Sequence, residues 1–417
     1  MRAVSRPVCG LFILLYLLLP PVVRANEAPL TLREAEQLAL ESDPLTRRYD
    51  ALSAAYAEQA VADAQLPDPK ISLGVQDIPA SSPSFTQDDF TQLSVGVRQA
   101  IPPGATLKHR AAQTTALAEA ETARAHEQTR RLLNSVRGSW FETYYQARAV
   151  DILRASHTLL SQLLQITRTQ YSTGLTGAQD LLNAELELRQ LKERITATEA
   201  AHDTARADLM RWLGQPHTPR TLAEEFSPLA LPVERAVIEA HLDEHPLMAA
   251  EAAKVRASGS EVSMAREQYR PGWEVDVGYG ARGGGRTDYI SAGVTLELPI
   301  FADKRQDRRL AASEQQASAA RYARDDQRRE LLHRLESGYA AWTGLGKRLV
   351  AYDKEIVPQA AQNAELALKA YQNNSADFAS VMRAQLTGQE VRLQALRVRV
   401  DHAKAQADLL YFAGEAS

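Results

Sequence analysis

The feature that most constrains this 417-residue chain is that one pattern is written in it twice, about 200 residues apart. Leu40, Glu41, Pro44 and Leu45 return as Leu242, Asp243, Pro246 and Leu247, an offset of 202. Pro69 returns at the same offset as Pro271, and Ser94, Gly96, Val97 and Pro102 return as Ser291, Gly293, Val294 and Pro299, an offset of 197. Tyr171, Ala184, His202, Ala205, Asp208, Leu209 and Gly214 return as Tyr371, Ala384, His402, Ala405, Asp408, Leu409 and Gly414, an offset of 200. The steps between offsets are loop insertions and deletions, so both copies keep one layout. Units of roughly 180 residues are too long for a solenoid, whose repeats reach about 50, and a duplicated domain is the reading. The copies are expected at 26–214 and 233–417, with 215–232 as linker.

Residues 1–25 read as a secretory signal peptide. Arg2 and Arg6 give the positive start, Val8 to Leu19 the apolar stretch, and Val23-Arg24-Ala25 the residues before a cut. About a dozen apolar residues fall short of the ~20 that span a bilayer as a helix. Cys9, the only cysteine, leaves with this segment, so neither a disulfide nor a lipid on a mature N-terminal cysteine is expected. Loss of Arg2, Arg6 and Arg24 leaves 45 basic against 52 acidic residues and takes the net charge from −4 to −7, unlike a nucleic-acid binder. No later apolar run is long enough for a membrane helix. An exported chain of this kind must cross any membrane with strands.

Proline and glycine divide the chain into helical and extended parts. No proline lies between Pro103 and Pro216, and only Pro358 after Pro299. These stretches are rich in Ala, Leu, Gln, Glu and Arg, which favour helix. The segment from about Ala105 to Tyr171 predicts a rod of about 100 Å. In the next helix Leu181, Leu188, Ile195, His202 and Leu209 fall seven apart, with Ala184, Leu191, Thr198, Ala205 and Trp212 as companions. Val381, Gly388, Ala395, His402 and Leu409, with Ala384, Val391, Val398, Ala405 and Phe412, repeat both rows. Such heptads hold an apolar seam against partner helices, and the small residues allow close approach. Thr31 and Glu34 suggest a capping box. Asp43-Pro44 reads as N-cap and first residue of a helix, and His245-Pro246 as its weaker counterpart.

Between the helices each half holds two alternating runs, at about 70–77 and 91–101, then 273–281 and 289–299. Ile71, Leu73 and Val75 alternate with Ser72, Gly74 and Gln76; Trp273, Val275, Val277 and Tyr279 alternate with Glu274, Asp276, Gly278 and Gly280. Alternation alone fits an ordinary half-buried hairpin. The lengths also fit tilted transmembrane strands of roughly 9–11 residues. Four strands cannot close a barrel, and lipid tolerates no open edge, so three chains giving twelve strands would be required. Pro67, Pro69, Pro102, Pro103, Pro271 and Pro299 mark the junctions where strands meet helices.

At this point the chain resembles the TolC family of outer-membrane efflux proteins. The likeness covers nearly all of the mature chain and rests on the duplicated element order and on local motifs. Tyr171-Ser172-Thr173-Gly174 followed by Asp180-Leu181-Leu182-Asn183-Ala184-Glu185 is similar to the family's helical turn at the periplasmic tip. Ala207-Asp208-Leu209 through Trp212-Leu213-Gly214 is similar to the end of its returning helix. The resemblance implies a mainly α fold with a small β part, internally duplicated. It implies a homotrimer in which four transmembrane strands per chain build a twelve-stranded barrel continued by a coiled-coil tunnel. It further implies residence in outer-membrane lipid and docking to a periplasmic adaptor and an inner-membrane pump. The stretch from Gln76 to His109 is most similar to members serving heavy-metal efflux. A soluble periplasmic coiled-coil adaptor or scaffold is the alternative from another class; adaptors usually carry one helical hairpin flanked by β-rich domains.

The candidate tip and aperture residues are Tyr171, Gly174, Asp180, Tyr371, Asn374 and Arg383. The second tip departs from the first, with Asn374 in place of Gly174 and Ser380 in place of Asp180. An acidic aperture therefore has to be argued from Asp180. Three copies of it would form an acidic ring; the alternative is an acid stabilised by its own helix N-terminus. Arg383 either pairs across a subunit interface or sits on a solvated helix face. His202 and His402 occupy matching seam positions and read either as ligands or switches, or as packed, hydrogen-bonded histidines. No metal-binding histidine spacing supports the former, and no nucleophile elbow, phosphate loop or dinucleotide fingerprint is present. Neither a cofactor nor an enzymatic activity is expected.

Overall fold

A computed structural model describes residues 28–174, 176–214, 220–225, 229–230, 234–373 and 375–413. The expected signal peptide, Asn374, Gly414 and most of the 215–232 linker lie outside the described residues.

The chain runs α1 (Leu32–Ser42), α2 (Pro44–Asp63), β1 (Lys70–Gln76), β2 (Gln92–Ile101), α3 (Thr106–Ser172) and α4 (Ala178–Leu213). It continues with α5 (Arg235–Ala240), α6 (Pro246–Glu267), β3 (Gly272–Arg282), β4 (Tyr289–Glu297), α7 (Gln306–Ala351), α8 (Val357–Gln372) and α9 (Phe378–Ala413). Thr31 caps α1 by accepting from the Glu34 N–H at 3.3 Å. The reciprocal half of the expected capping box does not form, because the Glu34 carboxylate is taken by Arg220. Asp43 caps α2, accepting from Leu45 N–H at 3.2 Å and Thr46 N–H at 2.8 Å. His245 does the same for α6 with one bond, from Leu247 N–H at 3.2 Å.

α3 is a single helix of 67 residues, about 100 Å long. Its counterpart also covers 67 residues, from 306 to 372, but carries a π turn at Tyr352–Ile356 between α7 and α8. Pro358 is the cause: it offers no N–H, and its ring collides with the carbonyl four residues back, so the ladder widens just before it.

The helices form a layer of two tiers that share the long helices. Near the sheet, α2, α3, α6 and α7 lie side by side; farther away, α4, α3, α9 and α8 do so. The tiers meet at a core where Trp140 stacks on Tyr144 at 5.5 Å and meets Phe141 edge-on at 5.6 Å. Leu209, Leu213 and Val400 close around them. At the same level Glu142 of α3 receives Arg397 at 2.9 Å and Lys404, both from α9. The described parts of the linker run past this waist: Tyr144 donates to Glu224 O at 3.0 Å, and Gln406 donates to Leu229 O and Ala230 O. The heptad rows face inward as expected, with Ala184, Leu191, Ala205 and Leu209 buried on α4 and Val381, Ala384, Gly388 and Val398 buried on α9.

The four strands make one antiparallel sheet in the order β1-β2-β3-β4. β2 pairs with β3 across the two halves, from Gln92↔Arg282 to Ile101↔Trp273. All helices leave from one end of the sheet, so sheet and helical turns occupy opposite poles. No helix among the described residues is long and apolar enough to cross a membrane.

Candidate functional site

Because pairing is in register, the alternation of each strand adds up to two faces with opposite character. On one, Ile71↔Val97↔Val277↔Ala292 and Leu73↔Val95↔Tyr279↔Ile290 form continuous apolar rows. Nothing among the described residues covers them: Leu73 is 78% exposed and Ile290 76%. On the other, Ser72↔Gly96↔Gly278↔Ser291 and Lys70↔Arg98↔Asp276↔Gly293 form polar rows. There Gln92 donates to Gln76 at 2.8 Å, and Arg98 pairs with Glu274 at 3.3 Å. A Cβ on Gly96 would lie 2.9 Å from Ser72 Oγ, so glycine is what keeps this face flat. Such a sheet is inside out for water: its apolar side faces outward and its polar side lines a concavity. The outer edges of β1 and β4 have no partner among the described residues. At the far end, Arg286 holds Asp89 at 2.7 Å and so ties together the loops that follow β1 and β3.

At the opposite pole, α3 turns into α4 through Gly174, whose φ of +75° is the left-handed conformation that ends helices. Thr176 donates to Asp180 Oδ2 at 2.8 Å within the first turn of α4. Asp180 thus has a local partner at a helix N-terminus. The two tip tyrosines differ: Tyr171 is 46% exposed, whereas Tyr371 is 6% exposed, packs on Phe378 and donates to Gln170 of α3. That bond joins the two hairpin tips at one level.

The second tip also has an acid the heptad alignment did not single out. Asp377 begins α9 and accepts from Ser380 N–H at 2.8 Å. Ser380, through its side chain and its N–H, and nearby Arg383 hold its carboxyl below the ordinary value. The signal was present as Asp-x-x-Ser, an N-cap pattern, at the place where the first half has Gly177. Arg383 therefore stands near an acid of its own chain, and it makes no ion pair among the described residues.

The seam histidines share a heptad position but not an environment. His402 stacks on Trp342 at 5.7 Å, and burial lowers its pKa. His202 lies 3.6 Å from Asp203, in a groove of about 760 Å³ between α1, α3 and α4. Aromatic stacking packs His402, whereas His202 lies beside a carboxylate.

A helical layer ending in a small antiparallel sheet with an uncovered apolar face is the fold to be compared with known proteins. Residues 237–415 match the model of the outer membrane efflux protein family. Solved structures extend the likeness over the remainder. The chain is similar to the Campylobacter jejuni CmeC outer membrane channel, with 11% identity and a TM-score of 0.80 over 92% of this chain and 85% of that one. It is similar to CusC, described for the changes that accompany folding and transmembrane channel formation, with 14% identity and a TM-score of 0.79 over 93% of each chain. It is also similar to the open state of the Neisseria gonorrhoeae MtrE outer membrane channel, with 16% identity and a TM-score of 0.77 over 92% of this chain and 88% of that one. None of the curated proteins searched matches the chain in sequence.

Proposed function

We propose that this chain is one subunit of a homotrimeric outer-membrane efflux channel, a passive duct that works with a periplasmic adaptor and an inner-membrane pump. The observation that carries the reading is the uncovered apolar face of a four-stranded sheet whose edges are both open. In water that arrangement is an aggregation hazard. In lipid it is stable once the edges are closed, and three copies supply twelve strands and a closed barrel. The polar rows then line the lumen, and the two helical tiers continue it as a tunnel in the periplasm. Residues 1–25 act as export signal, and 26–214 and 233–417 are two copies of one structural unit.

In this reading the tips form the aperture. Asp180 and Asp377 each begin a helix there, so a trimer presents six carboxylates, which favours passage of cations. On the resemblance described above, the cargo is extended to heavy-metal cations. His202 and His402 act as packing residues, and no resident metal or cofactor takes part.

Two measurements test this. Purified protein in a planar bilayer should give discrete conductance steps, and Asp180→Ala with Asp377→Ala should lower cation selectivity. A deletion strain should become sensitive to heavy-metal ions. Sensitivity to dyes or antibiotics alone would remove the metal cargo but keep the channel; no conductance at all would overturn the channel.

A further inference from the structure

We propose that α4 of one subunit packs lengthwise on α8 of the next, with Leu186 against Leu366 and Arg189 against Glu365. The inference rests on the trimeric reading above and adds the residues that join the subunits at the tips.

Both helices are edges of the lower tier: α4 packs on α3, and α8 packs on α9. Each leaves an apolar residue uncovered on a helix that needs none for its own hairpin. Leu186 is 53% exposed on α4, as is Leu182 one turn nearer the tip at 65%, and Leu366 is 56% exposed on α8.

Heights along the tunnel decide which residues can meet. Ion pairs Arg168–Glu185 at 2.8 Å and Arg154–Glu199 at 2.6 Å fix how α4 returns along α3. On that antiparallel scale Arg189 is level with Leu164, and Leu186 with Thr167. The bond from Tyr371 to Gln170 places α8, which runs the same way as α3, on the same scale. Glu365 is then level with Leu164, and Leu366 with Gln165. Rotation about a threefold axis preserves height, so it brings the α4 edge of one copy to the α8 edge of another at these levels. Arg189 and Glu365 coincide. Leu186 and Leu366 differ by two residues, about 3 Å along the axis, within reach of two leucines.

The charges agree with this register. Arg189 is exposed and makes no ion pair among the described residues. Glu365 accepts from Lys369 of its own helix at 2.6 Å through one carboxylate oxygen, Oε1. A second copy is thus the occupant whose chemistry and geometry both match, apolar to apolar and cation to anion.

The test uses the full-length protein with Cys9→Ser, which removes the single cysteine of the sequence. Leu186→Cys and Leu366→Cys are combined in one chain and treated in membranes with a short bis-maleimide. The double variant should move most of the chain to dimer and trimer masses on a denaturing gel, while each single variant stays monomeric. If the trimer keeps its native mass, both cysteines take up a monofunctional maleimide and the chains still run as monomers, the register is wrong while the channel reading stands. Cross-linking of Leu366→Cys to a second protein, with no chain-to-chain product, assigns the edge to an adaptor helix and overturns the proposal. Absence of any trimer in the unmodified protein removes the channel reading itself, and the register with it. Charge reversal gives an independent check: Arg189→Glu or Glu365→Arg alone should lower the dissociation temperature of the trimer, and the two together should restore it.

Discussion

Helix α3 and the matching stretch from α7 through α8 have the same length and the same place in the two halves, yet they live differently. Twenty-five of the 67 residues of α3 are buried. Along the counterpart only five in α7 and two in α8 are buried, so the chain leaves that rod as an uncovered edge. The sheet shows the same contrast, with β2 and β3 paired on both sides and β1 and β4 on one. The two stretches are equal in length; what separates them is which one has neighbours inside its own chain. In the proposed trimer, the edge helix and edge strand on each side make the chain one sector of a ring.

The contrast can be broken or sharpened by substitution. The largest effect is expected inside α3, where Trp140 is fully buried. Trp140→Ala should destabilise the protein by about 3–5 kcal/mol in detergent unfolding, and a loss below 1 kcal/mol would mean that α3 is not the interior helix. Next comes the sheet. Val277 is 51% exposed in the single chain, so in a water-facing sheet Val277→Arg would change stability by no more than about 0.5 kcal/mol. Facing lipid near mid-strand it should cost about 2–4 kcal/mol, read as reduced heat resistance of the trimer and reduced insertion.

A smaller effect is expected where α3 meets α9. Burial pushes the Glu142 carboxyl up, but bonds from Lys404, Gln146 and Arg397 outweigh it and hold the group below the ordinary value of about 4.5. A lowered native pKa means that the contribution is complete above that ordinary value and is lost as pH falls through the native one. Glu142→Gln should therefore weaken the protein at pH 7, by about 1.5–3 kcal/mol for charge-assisted bonds, and should flatten its acid dependence below pH ~4.5. An unchanged acid profile would show that the contact contributes nothing. Smallest is the comparison of the tips: Tyr371→Phe should cost about 0.5–1.5 kcal/mol through loss of its bond to Gln170, and Tyr171→Phe almost nothing. Equal effects would restore the symmetry that the sequence suggests.

Much of the fold was legible because it depends on local chemistry. Prolines at 67, 69, 102, 103, 271 and 299 mark the strand junctions, and the heptads from Leu181 and Val381 name the buried faces of α4 and α9. The π turn was not legible from Pro358 alone, since a proline can also end a helix. Equivalence of position misled where the partner came from elsewhere in the chain. Tyr171 and Tyr371 share a motif, but only the second meets Gln170; His202 and His402 share a heptad, but only the second meets Trp342. Glu34 looked like half of a capping box until Arg220, 186 residues away, took its carboxylate. Asp377 was not legible from the 200-residue repeat, which aligns Asp180 with Ser380; its signal is the N-cap pattern three residues earlier.

The central claim is that the sheet of one chain is completed by sister chains in a bilayer. The direct measurement is the location and native mass of the mature protein after cell fractionation. The account predicts an outer-membrane protein, released by detergent at three times the chain mass and converted to single chains on heating. A water-soluble monomer in the periplasm, with the four strands still paired, would contradict it.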